Sequence, residues 1–171
     1  MENCTTRPRP VRINASRVKI RIVRTFLRFD WMDYPPDDGN NYRDKASYTW
    51  AAAAKQHLKN AGFRAEINFS YEKDGGALHV YITVGHSTYY PWLTKKYPPA
   101  VRSFIAQVMA VVESADEVGM DAAYAFAAVE CAKYDAAKAE DDAEKAEDEA
   151  RAEAEAATAA WRAAVSREEE E

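Results

Sequence analysis

Residues 17–30, RVKIRIVRTFLRFD, decide how the rest of the chain is read. Val18, Ile20 and Ile22 alternate with Arg17, Lys19 and Arg21, the period of a strand with one apolar and one basic face. The apolar parity then moves to Val23, Thr25, Leu27 and Phe29. That slip predicts a bulge near Ile22–Val23, which would bend the strand and switch its buried face. Upstream, residues 1–16 hold Pro8, Pro10, Arg7, Arg9 and Arg12 without an apolar period, and read as a flexible basic arm. Downstream, 31–43 (WMDYPPDDGNNYR) reads as a loop broken by Pro35-Pro36 and Asp38-Gly39.

A helix is expected from Asp44 to Asn60, with Trp50, Ala54, Leu58 and Ala61 as its buried stripe and Gly62 as its C-terminal glycine. Next, Phe63, Ala65, Ile67, Phe69 and Tyr71 alternate with polar residues, and Leu78, Val80, Ile82 and Val84 do the same. With Lys73-Asp74-Gly75-Gly76 between them, the two runs predict a β-hairpin. The aromatic stretch 86–97, HSTYYPWLTKKY, is expected to connect, with Ser87 or Thr88 capping a short helix. After Pro98-Pro99, the stripe Val101, Phe104, Ile105, Val108, Met109 and Val112 predicts a helix to about Ser114, with a break at Gly119. From Asp121 onward there is neither Gly nor Pro, and strong helix formers dominate, so one long helix is expected.

The order β-α-β-β-α-α predicts an α+β fold: a small three-stranded antiparallel sheet with helices on one face and a long Ala/Glu-rich C-terminal helix projecting from it. The boundaries follow: a flexible arm over 1–16, a globular domain over 17–130, and an acidic Ala-rich helix over 131–171. Tyr124, Ala127, Ala128, Cys131 and Tyr134 are spaced to pack onto the globule.

Hydrophobic residues make up 47% and charged ones 30%, a balance that fits neither a disordered polyelectrolyte nor a membrane protein. No apolar run reaches the roughly 18 residues of a membrane span, and the polar N-terminus has no apolar signal core. Two cysteines, Cys4 and Cys131, do not make a disulfide framework, so a cytoplasmic chain is expected. The net charge of −5 conceals an asymmetry: 1–28 carry +7, 29–134 carry −3 and 135–171 carry −9. Such a split points to a charged partner, or to attraction between the two ends.

In the last segment, positions 129, 132, 136, 139, 143, 146 and 150 step by three and four, and all but Val129 are Ala. This heptad seam permits a homodimer or an antiparallel helix without compelling either, because Ala buries little area. Alternatively the helix stands alone, held by propensity and by pairs such as Asp141–Lys145 and Glu147–Arg151. Asp141, Asp142, Glu144, Glu147, Asp148 and Glu149, with Trp161 near the end, form the leading candidate site. Such a helix would fit a groove built for a nucleic-acid backbone, making the chain a non-enzymatic inhibitor or decoy that binds a nucleic-acid-handling protein complex. Small phage or mobile-element products that block restriction or CRISPR machinery work this way, and the chain is similar to them in mechanism rather than in motif. The plainer reading of the same residues is a solvated charged face.

The alternative is a nucleic-acid-binding module, dimerised through the long helix. Arg17, Lys19 and Arg21 would share a sheet face with either Arg64 or His79 and Tyr81, basic groups beside an aromatic. Against a direct nucleic-acid partner stand Glu66 on that face and a pI of 5.3. Catalytic motifs are absent: there is no HExxH, CxxC, P-loop, GxGxxG or GxSxG, and no cofactor or metal site is expected. Asp37-Asp38-Gly39-Asn40-Asn41 fails as a calcium loop, since the twelfth position from Asp37 is Tyr48. His86-Ser87-Thr88 places a base beside hydroxyls but lacks an orienting acid. The neighbouring Tyr and Trp residues would suit a protein contact instead.

Overall fold

A computed structural model describes residues 14–27, 42–72 and 76–168. The basic arm before Asn14, the loop 31–41 and the turn residues 73–75 lie outside the described residues. A 3-10 turn (Ala15–Arg17) leads into β1 (Val18–Leu27), followed by α1 (Tyr42–Asn60), β2 (Arg64–Glu72), β3 (Leu78–Val84) and β4 (Ser87–Tyr89). A second 3-10 segment (Pro91–Lys96) precedes α2 (Pro99–Glu168). The chain divides into two units, Met1–Ala127 and Ala128–Glu171.

The sheet has four strands in the order β2-β1-β3-β4, and it is mixed. β1 pairs parallel with β2, from Lys19↔Arg64 to Leu27↔Glu72. It pairs antiparallel with β3, from Val18↔Val84 to Arg24↔Leu78. The three-stranded antiparallel sheet is therefore corrected, and so is the β2–β3 hairpin. The two strands are where the alternation puts them, but β1 lies between them. The chain after β2 ends against β1: Gly76 donates its N–H to Thr25 O at 2.7 Å, and Thr25 donates to Ala77 O at 2.9 Å. Alternation marks a strand and its faces, not its neighbours. Here α1 is the crossover that returns β2 parallel to β1, leaving the other edge of β1 for β3.

No bulge interrupts β1, which pairs residue for residue with β2. Val18, Ile20, Ile22 and Phe26 keep one parity and are all buried. The residue of that parity between Ile22 and Phe26 is Arg24. Its guanidinium bonds Asp116 of α2 and stands 5.4 Å from the Phe26 ring and 6.0 Å from the Trp50 ring. The parity shift in the sequence is a charge inside the core, made tolerable by its counter-ion.

Trp50, Ala54 and Leu58 of α1 are fully buried, whereas Ala61, past the helix end, is exposed. Gly62, at φ +89°, closes the helix with Gly62 N–H to Lys59 O and Phe63 N–H to Leu58 O bonds. On α2, Ile105, Val108, Val112, Ala115, Ala123 and Ala127 are buried, and all but Ala127 share the core with α1 and the inner sheet residues. The opposite sheet face carries no α-helix among the described residues, only the 3-10 segment Pro91–Lys96 at its β3 side. α2 does not break at Gly119, and one helix replaces the expected two. Gly119 is a close approach instead: a Cβ there would meet Trp50 Cδ1 at 2.5 Å. Of the residues expected to pack after it, Ala127 is buried and Cys131 half-buried, while Tyr124, Ala128 and Tyr134 are exposed. The expected helix cap at Ser87 or Thr88 gives way to β4, which pairs with β3 through Thr83↔Thr88.

In the second unit, every residue from Ala132 to Ala164 is exposed, the heptad positions included. The expected Glu147–Arg151 pair is replaced by Asp148–Arg151 at 3.9 Å, and Asp141–Lys145 does not form. No helix among the described residues is long and apolar enough to cross a membrane.

Candidate nucleic-acid interface

The helix-free sheet face is assembled by the central position of β1. Its outward residues, Lys19, Arg21 and Val23, lie between Arg64, Glu66 and Asn68 of β2 and Thr83, Tyr81 and His79 of β3. The sequence left open whether the basic residues of β1 share their face with Arg64 or with Tyr81. Because β1 has a strand on each side, they share it with both.

Two rows matter. In the first, Arg64, Lys19 and Thr83 stand side by side, and Arg17 joins them from the turn before β1. Ser16, Arg17, Lys19, Arg64, Thr83, Val84 and Gly85 line a shallow groove of about 570 Å³, with three cations and no acid on its walls. In the second row, roughly 6.5–7 Å along the strands, Glu66, Arg21 and Tyr81 are neighbours, with the Arg21 guanidinium 5.7 Å from the Tyr81 ring centre.

Glu66 ties the rows together. Its carboxylate meets Lys19 Nζ at 3.2 Å and Arg21 Nε at 3.8 Å. The hydrogen bond and charge of Lys19, with a further hydrogen bond from Asn68, hold the Glu66 carboxyl below the ordinary glutamate range. Arg17 and Arg64 have no carboxylate partner in their own chain among the described residues.

Beside the basic rows stands an aromatic cluster that strand parity did not predict. After β4 the 3-10 segment brings Trp92 across to β3, edge-to-face with Tyr81 at 5.5 Å and with His79 at 6.3 Å. Tyr90 lies 5.1 Å from Trp92 and 6.0 Å from Tyr81. Trp92 is 55% exposed, so the cluster fixes the indole without covering it. The signal for it was the aromatic density of 86–97, which the sequence offered only as a protein contact. His86 is exposed in the turn ahead of β4. No His/Cys/Asp/Glu cluster able to hold a metal occurs among the described residues.

The acidic candidates lie on α2 within the second unit, all of them exposed. At 3.6 residues per turn, Asp141, Asp142, Glu144, Asp148 and Glu149 fall within an arc of roughly 160°. The heptad alanines are centred on the opposite side, and Trp161, 67% exposed, falls in line with them. The acids and Trp161, expected as one candidate site, therefore lie on opposite sides of the helix. Glu147 flanks the alanine side.

No protein-family model, curated protein or solved structure matches the chain.

Proposed function

We propose that the chain is a non-enzymatic binding protein whose helix-free sheet face takes single-stranded nucleic acid. One observation carries the reading: a groove walled by Arg17, Lys19 and Arg64 shares its sheet face with Tyr81, against which, together with Tyr90, a solvent-exposed Trp92 packs. Cations on an open sheet follow a phosphate backbone, and exposed aromatics stack on unpaired bases. A duplex keeps its bases stacked on one another, so only a single strand uses both halves of the surface. The chain as a whole is acidic, so affinity must come from this face rather than from bulk charge.

The test is fluorescence anisotropy with labelled single-stranded and duplex oligonucleotides at low and moderate salt. Tighter binding of the single strand, weakened by Trp92→Ala and by Arg17→Ala/Arg64→Ala, supports the reading. Failure to bind at tens of micromolar, or binding indifferent to those substitutions, overturns it.

A second reading is supported by a different feature. From Ala132 to Ala164 the helix is exposed all round, with five acids on one side, as a decoy for a protein's nucleic-acid groove would need. Here Asp141→Asn/Asp142→Asn/Glu144→Gln/Asp148→Asn/Glu149→Gln should abolish capture of a protein partner that duplex DNA displaces. The sheet-face reading expects no such effect.

A further inference from the structure

We infer that the outer edge of β2 is a homodimer interface, at which β2 of a second copy adds antiparallel and joins the two sheets. This does not rest on the nucleic-acid reading.

β2 is a terminal strand of the sheet. It runs nine residues, Arg64–Glu72, and contains no Pro, Gly or Lys. Natural edge strands are usually shortened, bulged, interrupted by Pro or studded with Lys to prevent pairing with another chain. At that length, free of Pro and Lys, β2 pairs with β1 without a bulge; its charges are Arg64, Glu66 and Glu72, which lie on the outward face. Among the described residues no strand pairs with its outer edge, whose backbone donors and acceptors would suit a strand that fits.

Its helix-side row is also under-covered. Ala65, Ile67, Phe69 and Tyr71 are only half-buried, whereas Val18, Ile20, Ile22 and Phe26 of β1 in the same layer are fully buried. Above this edge α1 holds Tyr48, 65% exposed, with its ring 5.1 Å from that of Phe69. A strand and helix arriving from a second copy would cover both.

Charge fixes the partner and the register. In an antiparallel β2–β2 pair whose opposed residue numbers sum to 136, Arg64 faces Glu72 of the second copy and Glu66 faces Ser70. Asn68 faces its own copy, Ala65 faces Tyr71 and Ile67 faces Phe69. All nine residues pair, and symmetry makes the Arg64–Glu72 contact twice. Sliding by two toward the C-terminus sets Glu66 against Glu72; sliding the other way leaves Arg64 and Glu66 opposite Ser70 and Asn68. Odd sums would set the apolar row against the polar one. The strand is thus self-complementary in its full-length register, as a two-fold interface requires. The joined sheet would have eight strands, with both helix-free faces on one side.

Sedimentation equilibrium of the full-length protein tests this. The wild-type chain is expected to dimerise. Arg64→Glu and Glu72→Arg each put like charges opposite one another twice, and each should weaken the dimer about tenfold. Arg64→Glu/Glu72→Arg restores opposite charges and should return dimerisation to near wild-type. Both residues are exposed, so circular dichroism of each variant should match the parent. In an Asn68→Cys variant, oxidation should join position 68 of one copy to position 68 of the other, read by mass spectrometry. A monomeric wild type at tens of micromolar overturns the inference, and so does a dimer that ignores the charge reversals. Failure of the double variant to recover overturns it too.

Discussion

A Cβ placed on Gly119 would stand 2.5 Å from Cδ1 of Trp50 and 2.9 Å from the Trp50 carbonyl oxygen. Helix propensity alone would favour Ala at this position by about 1 kcal/mol. Overpacking a filled core costs roughly 1–3 kcal/mol, and a backbone oxygen cannot swing aside as a side-chain tip can. Gly119→Ala is expected to lower the unfolding free energy in urea, against the propensity scale. A variant as stable as the parent would show that the indole has room to move.

Asp116 accepts the Trp50 indole N–H at 2.9 Å and also bonds the Arg24 guanidinium, both groups being largely buried. Removing the carboxylate strands a cation and an indole N–H in the core. Asp116→Ala should cost about 3–5 kcal/mol in chemical denaturation. Arg24→Met/Asp116→Asn removes both charges and keeps an acceptor for Trp50, so it should lose markedly less than Asp116→Ala. Equal losses would mean that the charge itself is not what the pair neutralises.

Binding at the sheet face should fall with salt in proportion to the phosphates neutralised. For single strands each contact adds about −0.7 to the slope of log K against log salt. Arg17→Ala and Arg64→Ala should each flatten the slope by about that amount, while Trp92→Ala should weaken binding by about 1–3 kcal/mol and leave the slope unchanged. Anisotropy titrations across a salt series separate the two. A changed slope in Trp92→Ala would contradict its assignment as a stacking platform.

The Glu66 carboxyl is held below its ordinary value, chiefly by Lys19. A depressed acid stabilises the fold while it is ionised, above its unfolded pKa. That contribution is lost as pH falls through the lower, folded pKa. The sensitive window therefore lies below the normal glutamate range, and the contact should be intact at neutral pH. NMR titration of the carboxyl should find the depressed value, and Lys19→Ala should raise it. An unmoved midpoint would show that Lys19 is not the cause.

Much of this was legible in local patterns. The stripe Trp50, Ala54, Leu58 located α1 to within two residues, and alternation located β1, β2 and β3. Pairing was not legible, because alternation says which way a side chain points and nothing about which strand lies alongside. The bulge was expected near Ile22–Val23 because a largely buried arginine and an exposed one look alike in a local window; the counter-ion of Arg24 is 92 residues away. Gly119 was misread as punctuation because the residue that needs its missing side chain belongs to another helix. At the candidate interface, strand parity found Arg17, Lys19 and Arg21. Bringing in Arg64 and Tyr81 together required β1 to be central, and Trp92 arrives on a 3-10 segment whose direction no period encodes.

The same arginine bears on how the protein is made. The run from Val18 to Leu27 is synthesised before the strands it pairs with, and the carboxylate that neutralises Arg24 emerges 92 residues after it. Until β2 and β3 follow, the nascent chain carries an apolar β-forming segment with no sheet to join, the kind of segment that aggregates unless a charge interrupts it. Arg24 is such a charge, set between Val23 and Phe26. In an unfolded segment such a charge opposes association with neighbouring chains. Only when Asp116 docks is that charge neutralised, so β1 is sealed after the strands that pair with it have been made.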